Sequence, residues 1–339
     1  VVECFGGSKT AATVEEFVAE ATGALRAVPS PPFMHGAAHW IAMRTWLSGG
    51  TIIVQSQPDR LDADDIWGII EAERANFLLI VGDAFARPLL DGLATTTHDL
   101  SSLLSILSGG APLSANLKVE FHSYLPNVMV VDGLGSSEAG GQLSQVATGE
   151  SSTTGAFPLA PQNHILSEDL TRELEAGHED LGWLAKSGRL ALGYLHDEAK
   201  TKKTYPVVNG IRYVVPGDRA RLTADNMIEV HGRDSVTINS GGEKIFAEEV
   251  EAAVKAHPDV YDCVVAGRPS ERWGNEVVAV VRLKDGAQQN EQALLTEAEN
   301  HIARYKLPKA FVFVPAIVRS PAGKADYRWA KQTALDAAQ

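Results

Sequence analysis

Only two cysteines occur in 339 residues, Cys4 and Cys263. They are too few and too far apart for a disulfide scaffold and point to a reducing, cytosolic setting. The ten histidines are scattered, with neither an HExxH pattern nor a Cys/His cluster, which argues against a zinc site. No apolar run approaches the roughly 18 residues of a membrane span, and no signal-peptide pattern is visible. Basic residues are outnumbered. A net charge of −13 disfavours nucleic acid or an anionic membrane as a default partner, although a local cluster can still hold an anionic ligand. Internal repeats and low-complexity tracts are lacking. No methionine precedes Met34, so the chain is expected to be a truncated or processed product.

What remains is ordinary globular composition, 45% hydrophobic and 22% charged, in a chain long enough for two or three domains. Helical spacing of Val14, Phe17, Val18, Ala21 and Leu25 predicts a helix over 13–27, broken by Pro29, Pro31 and Pro32. The segment FMHGAAHWIAMRTWL follows, with Trp40, Ala42, Met43 and Trp46 as its expected apolar face. TIIVQ reads as a strand, 62–75 as a helix opened by the Asp62–Asp65 cluster, and NFLLIVGD at 76–83 as a buried parallel strand. ARPLLDGL, LLSILSGGAP and PNVMVVDGLGSSE continue the alternation, which argues an α/β layer with ligand loops at the carboxyl ends of the strands. From about 165 to 231 short strands dominate, with GRLALGYL, GIRYVVPGDRARL and NMIEVHG suggesting a small antiparallel β subdomain. Beyond 232, a βαββαβ-like pattern of about 100 residues forms a C-terminal lobe. Its opening stretch, GRDSVTINSGGEKIFAEEVE, reads as strand, turn and helix. Gly241-Gly242 supplies the turn, and Glu248, Glu249 and Glu251 favour a helix start.

Five ordered segments carry the chemistry: PPFMHGAAHW at 31–40, SGGAPLS at 108–114, DGLGSSEAGG at 132–141, VPGDRARL at 215–222 and SPAGKADYR at 320–328. In the fourth, Asp218 follows a Pro-Gly turn, and such a carboxylate can accept from both hydroxyls of a ribose or simply complete the turn. In the third, glycines admit close backbone approach, serines can meet phosphate oxygens, and Glu138 offers a hard anionic oxygen of the kind Mg²⁺ takes once or twice per site. Together with the Gly232–Glu251 stretch, this series resembles the acyl-adenylate-forming superfamily: acyl-CoA synthetases, amino-acid adenylation domains and luciferases.

The resemblance implies an adenylate-forming α/β fold. A truncated large domain would cover 1–231, with an α/β subdomain over 1–164 and a β-rich subdomain over 165–231, and a mobile α+β domain would cover 232–339. Ser235 stands at the hinge, where the family usually has Asp or Lys. The implied nucleotide contacts are Gly109, Gly110, Ala111, Pro112, Asp132, Gly133, Leu134, Gly135, Ser136, Ser137, Asp218 and Arg233. Leu134 replaces the family's aromatic and Ser137 its Thr. Glu138 is the implied Mg²⁺ ligand, Lys324 the catalytic lysine, and His35 the gate between acyl and adenylate sites. Gly241, Gly242 and Glu243 would meet coenzyme A, while Met34, Ala37, Trp40, Gly82, Asp83 and Gly133 would wall the acyl pocket. The family's phosphate-binding loop is expected to be missing, since Gly6-Gly7-Ser8-Lys9 is its sole and short candidate. The implied substrates are ATP, CoA and a small-molecule carboxylic acid, with Mg²⁺ as activator and self-association left open. PPFMHGAAHW with VGDAFARPLLD resembles actinobacterial ligases of bulky lipid acids, including steroid side-chain acids. An amino-acid or aryl-acid adenylating ligase and a non-catalytic nucleotide- or acyl-CoA-binding protein remain alternatives.

Overall fold

Residues 12–95, 97–147 and 153–338 are described by a computed structural model. Cys4 and the Gly6–Lys9 stretch lie outside the described residues. Two compact units result. One runs to Thr153 and includes Pro321–Lys324; the other comprises Thr154–Ser320 and Ala325–Gln339.

The first unit contains α1 (Val14–Glu20), β1 (Arg26–Pro29), α2 (Gly36–Leu47), β2 (Thr51–Ile52), α3 (Ala63–Ala72), β3 (Phe77–Ile80), α4 (Gly82–Leu93), β4 (Ser105–Gly109), α5 (Ala115–Tyr124), β5 (Met129–Ser136) and β6 (Gly140–Val146). The strands form one sheet in the order β2-β1-β3-β4-β5-β6, parallel up to β5, with β6 turning back antiparallel at the edge. Leu78, Leu79 and Ile80 of β3 are all buried, as expected of a strand covered on both faces. α3 starts where the Asp65 N–H donates to the Asp62 side chain at 3.3 Å, satisfying a donor that the first turn otherwise leaves unpaired. Its Ile66, Trp67 and Ile70 are buried, and the Trp67 indole N–H donates to Leu89 O of α4 at 3.1 Å.

Three sequence expectations change here. The helix expected over 13–27 ends at Glu20, and Arg26–Pro29 joins the sheet, because pairing with β2 and β3 outweighs the weak helical spacing beyond residue 20. In α2 the buried residues are Ala38, Ile41, Ala42 and Thr45, while Trp46 is exposed, so the inward face lies beside the one expected. NFLLIVGD is strand only over Phe77–Ile80, since Gly82 and Asp83 already open α4.

The second unit begins with an antiparallel sheet ordered β7-β13-β12-β9-β8. It is built from β7 (Ala156–Pro158), β8 (Asn163–Leu166), β9 (Gly182–Lys186), β12 (Asp218–Leu222) and β13 (Met227–Arg233). Between β9 and β12 lie α6 (Glu198–Thr204) and the short pair β10 (Val207–Val208) and β11 (Ile211–Arg212). GRLALGYL is not a strand: Leu192 and Leu195 are 95% and 86% exposed, and Tyr194 makes just an isolated bridge to Asp197. An apolar string without a sheet face to cover it does not pair.

After a 3₁₀ turn at Asp234–Val236 come β14 (Thr237–Ser240), β15 (Glu243–Phe246), α7 (Ala247–Lys255), β16 (Val260–Ser270), β17 (Gly274–Leu283), α8 (Glu291–Glu299), β18 (Ala310–Phe313) and α9 (Tyr327–Asp336). Ser240 pairs with Glu243, and the intervening Gly241-Gly242 turn has φ of 59° and 92°, the geometry a two-residue hairpin favours. β16 and β17 pair over nearly their whole length, and β18 adds in parallel to β17. Side chains alternate along β16. Cys263 and Val265 pack with Val250, Val254 and Leu294 of α7 and α8, whereas Val264 and Ala266 pack with Ala330 of α9. Cys263 is thus a core residue, and burial pushes its thiol pKa up, away from the reactive thiolate. α9 is an addition to the expected βαββαβ pattern.

Candidate active site

The turn after β4 and the start of α2 come together in the first unit. Gly110 has φ of 97°, and a Cβ there would lie 2.8 Å from His35 Cε1. Only glycine therefore lets the imidazole settle on this backbone. His35 is the residue before α2, its side chain makes no capping bond, and its Nδ1 is buried without a hydrogen-bond partner. Burial first, and then the positive charge of Lys324, hold the His35 pKa below its ordinary value, so the ring stays neutral near pH 7. Lys324 arrives on Pro321–Lys324, whose Gly323 packs against Phe85 of α4. Gly110→Ala is expected to displace His35 from its buried place while leaving the unfolding midpoint within a few degrees, so that the imidazole pKa, followed by NMR, rises towards the ordinary 6.5. An unchanged His35 titration would show that the ring does not depend on the glycine.

The 132–141 segment is a hairpin. Asp132 to Ser136 lie in β5, Leu134 opposite Leu143 and Gly133 opposite Ser144, and a turn over 137–139 leads into β6. The strands approach so closely that a Cβ on Gly135 would stand 2.5 Å from Gly140 O. Ser136 Oγ accepts from Ala139 N–H at 3.1 Å, which fixes the turn. Ser137 is exposed on it beside Gly36, and Glu138 is half-buried. No group of three or more His, Cys, Asp or Glu capable of holding a metal is found among the described residues. A single turn carboxylate fits Mg²⁺ held mainly by phosphate oxygens and water, rather than by an all-protein cage.

Asp132 is held inside the unit. Its carboxylate meets Lys118 Nζ of α5 at 2.6 Å, with the two side chains 6% and 1% exposed, and Lys118 also donates to Thr153 O at 2.7 Å. The pair fixes β5 to α5. Lys118 carries no signal in ANLKVEFHSY, because its partner lies fourteen residues away on another element.

Gly82 and Asp83, expected in the acyl wall, sit against the segment ahead of α5. Gly82 backs onto Pro112 O, and Asp83 accepts from Ser114 N–H at 2.7 Å and Ser114 Oγ at 2.5 Å, ahead of α5. Met34 is 88% exposed, while Ala37 and Trp40 are half-buried along α2. Gly109 ends β4 opposite Gly133, and Ala111 and Pro112 continue the turn.

In the second unit, β12 and β13 place Asp218 directly opposite Arg233. Arg233 Nε donates to Asp218 Oδ1 at 3.2 Å; the aspartate side chain is buried and the arginine half-exposed. A buried carboxylate beside a guanidinium that reaches solvent can divide a diol between acceptor and donor. Ser235 lies exposed in the 3₁₀ turn that follows. Gly241, Gly242 and Glu243 are exposed at the β14–β15 turn; the Gly241 N–H donates to Trp273 O at 2.8 Å, and a Cβ on Gly242 would meet nothing within 4 Å.

Sequence comparison identifies the class. The AMP-binding enzyme profile matches residues 8–195 and the AMP-binding enzyme C-terminal domain matches 249–324. The chain belongs to the AMP-binding enzyme family. It is 53% identical over 306 residues to a medium-chain acyl-CoA ligase, Mig, of Mycobacterium avium, covering 90% of this chain and 56% of that protein. It is 43% identical over 325 residues to a 3-oxocholest-4-en-26-oate–CoA ligase of Rhodococcus rhodochrous, covering 94% and 58%. The chain thus spans little more than half the length of these relatives. An amide bond synthetase from Marinactinospora thermotolerans shares the fold, with a TM-score of 0.78 at 22% identity over 94% of this chain and 65% of that one. No helix among the described residues is long and apolar enough to cross a membrane.

Proposed function

We propose that this chain belongs to an ATP-dependent acyl-CoA synthetase that activates a lipid-type carboxylic acid as its adenylate and transfers the acyl group to CoA. The observation that carries the reading is the presence of Lys324 beside the neutral His35 and the Gly110 turn. In the first half-reaction a carboxylate oxygen attacks the α-phosphorus and pyrophosphate leaves. In the second, the CoA sulfur attacks the acyl carbon and AMP leaves. Lys324 supplies a point charge where negative charge redistributes at carboxylate and α-phosphate. Asp218 and Arg233 hold the ribose, and Ser137 faces phosphate oxygens. Mg²⁺ bound at Glu138 would neutralise phosphate charge. The lobe beyond Ser235 turns between half-reactions through backbone torsions, and Gly241–Glu243 then meet the pantetheine arm.

Relatives named for medium-chain and steroid acids at 41–53% identity support an apolar acyl site, to which Ala37 and Trp40 contribute. Each buried methylene contributes about 0.8 kcal/mol, so a few of them favour long or ring-bearing acids over acetate by more than tenfold. Comparing kcat/KM of the full-length enzyme for acetate, octanoate, palmitate and a steroid side-chain acid tests this. Preference for acetate or an amino acid would overturn it.

A further inference from the structure

Glu248, the second residue of α7, lies beyond the hinge but is bonded to the segment before it. Its Oε1 accepts from the Arg233 backbone N–H at 3.3 Å. Its Oε2 is out of solvent contact, has no hydrogen-bond partner, and rests against Gly232 where a Cβ would stand. Arg233 in turn donates through its side chain to Asp218. One carboxyl group therefore connects the lobe's first helix to the residue that completes the ribose pair. We propose that Glu248 is a positioning residue: across the hinge it latches the Arg233 backbone, and so holds the Asp218–Arg233 pair in register for a nucleotide ribose.

The latch rests on the assignment of Asp218 and Arg233 made above. Its surroundings disfavour charge. The acidic groups facing Glu248 are Glu251 on α7 itself and Asp218 on β12, with the Tyr327 phenol contributed by α9; the cation at hand, Arg233 on β13, offers its backbone N–H here and turns its side chain to Asp218. Burial first, then Glu251, push the Glu248 pKa up to about 8, with the bond from Arg233 N–H pulling the other way. In an opened hinge the carboxyl returns to its ordinary value of 4.5. A raised folded-state pKa means the latch is fully formed below the ordinary value, weakens as pH rises, and has lost this protonation advantage above about 8. The weakening is up to about tenfold per pH unit within that window.

Two measurements on the 339-residue chain test the latch. Hydrogen exchange of the Arg233 amide, the one that donates to Glu248, corrected for the intrinsic pH dependence, is compared at pH 6, 7, 8 and 9 for wild type, Glu248→Gln and Glu248→Ala. Wild-type protection should fall from pH 6 to 8, Glu248→Gln should keep its protection at every pH, and Glu248→Ala should be unprotected throughout. AMP binding by calorimetry, normalised to Glu248→Gln at each pH to remove the titration of the phosphate, should follow the same course. Glu248→Ala should bind at least tenfold more weakly. Parallel pH profiles for wild type and Glu248→Gln, or a protected Glu248→Ala, would overturn the latch. Binding of AMP by no variant would count against the ribose assignment, while the exchange data still decide the latch.

Discussion

Replacing Lys324 with alanine in the full-length enzyme is expected to lower pyrophosphate exchange by about 10²–10³-fold, the usual scale for removing one preorganised charge from a transition state. Lys324 is exposed and sits on a four-residue segment that packs through Gly323 on Phe85, so the truncation leaves no hole in the core. Its effect is electrostatic. The same variant, supplied with a preformed acyl-adenylate and CoA, should make thioester at close to the wild-type rate, because that step needs no charge where the α-phosphate is attacked. Equal loss of both half-reactions would mean that Lys324 serves the fold or the second step. A secondary sign is available at His35. Without the lysine's positive charge its pKa should rise towards the ordinary value, short of it by the effect of burial.

The largest stability effect is expected at Asp132. Burial pushes its carboxyl pKa up, the charge of Lys118 opposes that, and Asp83 adds to the rise. Lys118→Met removes the opposing charge, and the carboxyl can answer by taking up a proton. Asp132→Ala instead strands an ammonium group that is 1% exposed and, among the described residues, keeps the Thr153 carbonyl at 2.7 Å. Removing one partner of a buried ion pair costs about 3–5 kcal/mol, whereas exchanging both partners for apolar residues is often neutral. Urea denaturation followed through the buried Trp67 should show Asp132→Ala markedly destabilised and Lys118→Met/Asp132→Leu largely restored. A loss below about 1 kcal/mol in the single variant would mean that water reaches the lysine.

Much of the architecture is legible where local signals and burial agree. The Asp62 cap, the Ile66–Ile70 face and the apolar run of β3 are each written within a few residues. The turn at Gly241-Gly242 is legible for the same reason, since a turn of that hand asks for glycine, whereas the strand Glu243–Phe246 that follows it, where the sequence reads straight into a helix, is conferred by pairing with β14. Arg26–Pro29 is not legible, because its strand character is conferred by partners about 25 and 50 residues away. GRLALGYL fails in the opposite sense, having the composition of a strand without a face that buries it.

The site divides along the same line. The five motifs and the Gly232–Glu251 stretch mark residues by type and order, and the fold sets His35 against Gly110 and pairs Asp218 with Arg233. Sequence does not tell which carboxylates are available to a ligand and which are consumed internally. Asp132 and Asp83 stand in or beside motifs yet are engaged by Lys118 and Ser114. Glu248 reads as a surface acid favoured by a helix dipole, but its carboxyl turns inward and sheds its charge. Of the three glutamates, Glu249 keeps an ion pair, with Lys306 at 2.6 Å, and Glu251 is buried and accepts from Val265 N–H at 3.0 Å.

The narrow separation of β5 and β6 has a bearing on how this sequence can drift. Residue exposure usually forecasts mutational tolerance, and Gly135 is only half-buried. Yet any side chain there would have to occupy the place of Gly140 O on the opposite strand. Neighbouring side chains can rotate away from a newcomer, but a carbonyl in a ladder moves only with its strand. In a saturation library this position should behave like deep core despite its access to solvent, with Ala no milder than Leu.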